Sequence, residues 1–142
     1  MNDLEQLFSN SILWISILAW FIAQTLKVIL TLITQKRFDI SRFVGSGGMP
    51  SSHSAFAVSL ATSIGKVHGF DSSMFAMAIT FALITMYDAA GVRRAAGKQA
   101  VVLNEIIEQL QSRRGFPDEK LKELIGHTPV EVIVGGLLGI FI

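Results

Sequence analysis

The chain is predicted to fold as an all-α integral membrane bundle of about four membrane helices, with an amphipathic helical insertion on the cytoplasmic side. Three observations predict this. Hydrophobic residues make up 51% of the 142 residues and charged residues 16%, against roughly 25% charge in soluble domains. Mean hydropathy is +0.52. The apolar residues gather in runs of membrane length, and the alternation expected of strands is absent. One domain, 1–142, is expected, with the insertion at about 95–126. The same composition excludes disorder. Lys+Arg is 12 and Asp+Glu 11, a net charge of +1, so no basic footprint for nucleic acid exists. The absence of cysteine excludes a disulfide framework, a thiolate zinc site and thiol catalysis.

Ser11 to Thr34 is the first span, interrupted strongly only by Gln24 and Lys27. A bilayer core needs about 20 apolar residues. A signal peptide fits poorly, because Asp3 and Glu5 make the N-terminus acidic and no small-residue cleavage pattern follows. Ser51 to Val67 is rich in Ser, Ala and Thr, which suits a helix packed among helices rather than against lipid. Ser72 to Val92 is a second good span, polar only near its end at Asp88. In the polar stretch that follows, Val101, Val102, Ile106, Ile107 and Leu110 recur at helical spacing. Arg113 and Arg114, then Gly115 and Pro117, are stop signals for that helix. A short helix is expected over Asp118 to Ile125. Pro129 to Ile142 is apolar but short for a full span.

Charge sets the expected topology. Residues 1–26 carry no Lys or Arg. The stretch 35–50 carries Lys36, Arg37 and Arg42, and the loop at 65–71 only Lys66. The stretch 93–127 carries Arg93, Arg94, Lys98, Arg113, Arg114, Lys120 and Lys122. The positive-inside rule places the first and third stretches in the cytoplasm of a multi-pass cell-membrane protein, with both termini outside. Every candidate for chemistry lies in or beside those two stretches.

The first candidate is Gly45-Ser-Gly-Gly-Met-Pro-Ser-Ser-His-Ser54. Glycines such as Gly48 let backbone approach a ligand closely. Ser51 or Ser52 can cap the helix that follows, and free amides at such a start suit phosphate. His53 falls in the first turn. A plain loop-to-helix cap accounts for the same residues. The second candidate is Gly126-His-Thr-Pro-Val-Glu131. Thr128 and Glu131 form a capping box with Pro129 at the first helical position. His127, just before the cap, is free to face the same anion. Of two histidines at helix starts on one membrane face, one can attack phosphorus while the other protonates the leaving oxygen.

The third candidate is a set of cations. Lys27 lies within the first span, where ionisable residues are functional candidates, although snorkelling also accounts for it. Arg42, Arg93 and Arg94 flank the same face and offer bidentate donors to phosphate, although positive-inside anchoring is their alternative. Asp88 either pairs with Lys27 or an arginine, or joins His53, His127 and Glu131 around a divalent ion. Nothing here has metal-motif spacing, so no metal or other cofactor is expected. His68 reads as solvated.

Met49-Pro-Ser-Ser-His-Ser54 resembles the Pro-Ser-Gly-His motif of type 2 phosphatidic acid phosphatases, relatives of the vanadium haloperoxidases. His127-Thr-Pro-Val-Glu131, running on to Gly135 and Gly139, resembles their third motif, His-x-x-x-Asp with a Gly-rich apolar helix. Together with Tyr87-Asp-Ala-Ala-Gly-Val-Arg-Arg-Ala-Ala-Gly-Lys-Gln-Ala100, nearly the whole chain resembles the small divergent branch of that family in bacterial membranes. The resemblance implies that His127 is a nucleophile forming phosphohistidine, that Glu131 replaces the usual Asp orienting it, and that His53 is the general acid. It implies that Ser51 and the amides around Ser52 hold phosphate oxygens. Ser52 stands where the family has glycine, and the third-motif Arg position falls on Leu121, so Arg93 or Arg94 takes that role. Lys27 and Arg42 divide the role of the absent Lys-x6-Arg-Pro motif.

The implied activity is hydrolysis of a lipid phosphate or pyrophosphate. The alternative is a non-catalytic membrane protein that keeps the anion site for binding or assembly. The paired histidines favour the first, and the missing Arg position favours the second. Expected partners are the lipid phosphate, membrane lipids and, with so few short helices, further copies of the chain.

Overall fold

A computed structural model describes residues 2–36, 48–114 and 126–142. All secondary structure among them is helical. The elements are α1 (Asp3–Phe8), α2 (Ser11–Gln35), α3 (Ser52–His68), α4 (Ser73–Ala90), α5 (Val92–Arg114) and α6 (Pro129–Phe141). Helix α3 is central, packing on α2, α4 and α6.

The inward faces are built from small residues. Ala19 and Ala23 of α2, Ala55, Ala57, Ser59 and Ala61 of α3, and Ala78 and Ala82 of α4 are buried. The large apolar side chains point the other way: Leu18, Phe21 and Ile33 on α2, Phe81 and Ile84 on α4, and Ile133 and Leu137 on α6 are all exposed. In water this arrangement would leave a contiguous apolar surface far larger than soluble monomers expose. In lipid it is the stable one, because small residues let backbones approach and large ones meet acyl chains. The chain is an all-α membrane helical bundle. Helix α2 and the apolar run within Ser73–Glu108 are long enough to cross a bilayer, while α6 is shorter.

Local signals explain the boundaries. Asn10, Ser51, Ser72 and Thr128 cap α2, α3, α4 and α6, each accepting a backbone N–H from three residues on. Lys36 takes a left-handed conformation, φ 52°, and ends α2. Gly69, at φ 90°, ends α3.

Two features differ from the sequence-based expectation. Helix α1 was not expected; a capping box between Asn2 and Glu5 starts it, and Phe8 stacks on Trp14 with ring centroids 5.9 Å apart. Helix α5 begins directly after Gly91, so Arg93 and Arg94 sit in a helical first turn rather than a loop. The expected helix over Asp118–Ile125 lies outside the described residues, as do Arg42 and Gly45 to Gly47.

The seam between α3 and α6 positions the candidate residues. A Cβ on Gly135 would collide with the Ser51 carbonyl. One on Gly139 would lie 2.5 Å from the Ala55 oxygen and 2.8 Å from the Ser59 nitrogen. Glycine at both places brings the two backbones into contact. The Ser51 N–H then donates to the Glu131 carbonyl at 3.0 Å, tying the start of α3 to the first turn of α6.

Candidate active site

Two helix starts form the site. At α3, Gly48 has φ +88°, and its Cα faces the aliphatic stem of Lys27, whose Cγ would lie 3.4 Å from an added Cβ. Ser51 is fully buried. Its hydroxyl accepts from the Ser54 N–H at 3.4 Å and from the Ser54 hydroxyl at 3.0 Å. Ser51, not Ser52, is therefore the cap, and Ser52 is buried in the first turn. His53 is exposed. It edges an apolar groove of about 380 Å³ lined also by Ile17 and Trp20 of α2, Phe56 and Ala57 of α3, and Phe81 and Thr85 of α4.

At α6, Gly126 presses on the backbone of Arg93 and Arg94, leaving no room for a Cβ. The His127 N–H donates to the Ala89 carbonyl at 3.0 Å, fixing this segment to the end of α4. Glu131 serves two groups with one oxygen. Its Oε2 accepts the Thr128 N–H at 2.9 Å and lies 3.3 Å from His127 Nδ1. Capping and orientation of the imidazole are thus compatible. With Nδ1 donating to Glu131, Nε2 carries the lone pair. His127 is 2% exposed, and Nε2 has no hydrogen-bond partner among the described residues.

Burial lowers the His127 pKa from its ordinary value of 6.5 by desolvating the imidazolium. The hydrogen bond and the negative charge of Glu131 act in the opposite direction, and the charges of Lys27 and Arg93 lower it further. The result favours the neutral imidazole.

Lys27 is 1% exposed and donates to Gln24 Oε1 at 2.7 Å. Its charge acts on both His53 and His127, as does that of Arg93. The two arginines divide. Arg93 Nε bonds Asp88 Oδ2 at 2.7 Å, both side chains being partly exposed. Arg94 lines a separate cavity of about 280 Å³ with Gly97, Lys98, Val101, Gly126, His127 and Thr128. Asp88 thus takes the arginine alternative. Among the described residues no three histidine and acidic side chains come together as a metal ligand set. His68 is exposed at the far end of α3. Gln24 is a polar residue the site reading missed; its position, one turn before Lys27 in an apolar run, was the available signal.

The profile of the Divergent PAP2 family matches residues 8–142. The chain belongs to that family. This divergent PAP2 protein is also 43% identical to the uncharacterized membrane protein YuiD of Bacillus subtilis (strain 168), over 96% of this chain and 94% of that one. No solved structure matches it. Family and relative agree with the membrane bundle, and contact with membrane lipids follows from its apolar exterior.

Proposed function

We propose that this divergent PAP2 protein is a membrane-embedded phosphatase that hydrolyses a lipid phosphate or pyrophosphate through a phosphohistidine. Residues 1–142 act as one multi-pass domain of the cell membrane, with the site on the cytoplasmic face. The observation that carries this reading is His127: buried, held at Nδ1 by Glu131, and with an Nε2 that has no hydrogen-bond partner among the described residues.

The chemistry follows from that arrangement. Nε2 attacks phosphorus, and the bond between phosphorus and the ester oxygen breaks. The departing alkoxide takes a proton from the His53 imidazolium. Glu131 stabilises the positive charge that His127 acquires. Lys27 and Arg93 offset the charge on the phosphoryl oxygens. In the second half, His53, now neutral, accepts a proton from water as that water attacks the phosphohistidine, and inorganic phosphate leaves. Ser51 contributes by tying the two helix starts together, since its hydroxyl is engaged with Ser54 and its backbone N–H with the Glu131 carbonyl. The groove beside His53 leaves the apolar part of an amphiphile in the bilayer while its headgroup reacts.

The test is release of inorganic phosphate by purified protein from a panel of lipid phosphates. Wild type should turn over at least one of them, and His127→Ala none. Acid quenching with labelled substrate should trap phosphate on wild-type protein and not on His127→Ala. Anion binding without turnover would support the non-catalytic alternative instead.

A further inference from the structure

Gln24 is 4% exposed and lies within the longest apolar helix of the chain. An amide at such depth is unfavourable unless hydrogen-bonded, and an apolar residue there would remove the difficulty altogether. Its oxygen accepts from Lys27 Nζ at 2.7 Å, three residues along the same helix face. Lys27 also takes part in interaction beyond that bond. The lysine stem runs beneath Gly48 toward the start of α3, and its charge acts on both histidines. A lysine head is a flexible point charge that does not orient itself.

We infer that Gln24 is a positioning residue, which fixes the Lys27 ammonium where a phosphoryl oxygen of the substrate meets it. An amide oxygen holds the ammonium without subtracting from its charge. A carboxylate of the same shape would hold it equally well and cancel much of its attraction for the anion. The inference rests on the phosphatase reading for its substrate, while the anion site can be probed without turnover.

The experiment uses full-length protein in detergent and follows inorganic phosphate by titration calorimetry, with thermal unfolding alongside. Gln24→Glu preserves shape and hydrogen bond, so its melting should match wild type, yet phosphate should bind about tenfold more weakly or worse. Gln24→Leu should weaken binding by a smaller factor. Added to Lys27→Met, it should change affinity no further, because the amide acts through the lysine. A purely structural Gln24 predicts the reverse: Gln24→Glu binding like wild type, and Gln24→Leu destabilising in both backgrounds. Either result overturns the inference, as does equal loss from Gln24→Leu with and without Lys27. If wild type binds phosphate but releases none from lipid phosphates, the catalytic reading fails, and the same cycle still decides the role of Gln24. If wild type binds no phosphate, both fall.

Discussion

Gly135 and Gly136 are adjacent in sequence and should differ sharply in their tolerance of the same substitution. A Cβ on Gly135 would meet the Ser51 carbonyl inside any permitted separation, with the Ser51 nitrogen and carbonyl carbon both 3.0 Å away. Backbone cannot rotate aside, so α6 must retreat from α3 by about 1 Å. Overpacking of this kind costs about 1–3 kcal/mol. The Ser51–Glu131 backbone bond, now 3.0 Å, would be lost or stretched, adding roughly 0.5–1.5 kcal/mol. A Cβ on Gly136 would instead meet the tip of Met86, with Cε at 3.1 Å. Methionine has the rotamer freedom to yield, so Gly136→Ala should cost under about 1 kcal/mol. Thermal unfolding in detergent gives the comparison: Gly135→Ala should melt at least about 5 °C lower, and Gly136→Ala near wild type. Phosphate release should separate the pair further, since a 1 Å misplacement of reacting groups can cost on the order of 10²-fold. Equal melting temperatures for the two variants would refute the close-packed seam.

Three further outcomes are expected. Single cysteines at positions 42 and 120 should resist impermeant labelling in intact cells, and labelling at only one would break the shared cytoplasmic face. His53→Ala should impair turnover of a lipid phosphate about 10²–10⁴-fold yet spare much of the attack on a nitrophenyl phosphate, whereas His127→Ala should abolish both; trapped label lost in His53→Ala but kept in His127→Ala would reverse the roles. Because His127 titrates below 6.5, its neutral form persists into mild acid, and the acid limb of the pH–rate profile should fall below that value. Glu131→Gln removes influences that raise this pKa, so the limb should move lower still while the plateau rate drops. A shift toward higher pH in that variant would contradict the assigned contact.

Much of this was legible before any coordinates. The run from Ser11, the capping box at Thr128 and Glu131, and the small-residue character of α3 each follow from short-range rules, and all three persist in the fold. The division between Arg93 and Arg94 was not legible. Adjacent residues on a helix differ by about 100° in direction, so which one pairs with Asp88 and which lines the cavity beside His127 depends on how α5 leaves Gly91. Asp88 was ambiguous for the same reason, since its partner lies five residues on, across the break between α4 and α5. Helix α1 was hidden because six residues carry too little periodicity to register.

Under the proposed mechanism, the glycines of α6 serve stability and chemistry through one contact. A core of alanine, serine and glycine offers few large side chains to lock helices in register, so backbone proximity must do it. At Gly135 that proximity falls on Ser51, the cap of the helix bearing His53. One turn earlier on the same face, α6 carries Glu131, which holds His127. The Ser51–Glu131 backbone bond therefore couples the cap of one histidine helix to the anchor of the other. A change that loosens the seam also changes the separation of the two histidines. On the proposed reading, in which Lys27 and Arg93 hold the anion, binding alone should tolerate such loosening better than turnover, because a cation acts over several ångströms and in-line attack does not. Substitutions along the seam should accordingly lower turnover before they lower phosphate affinity.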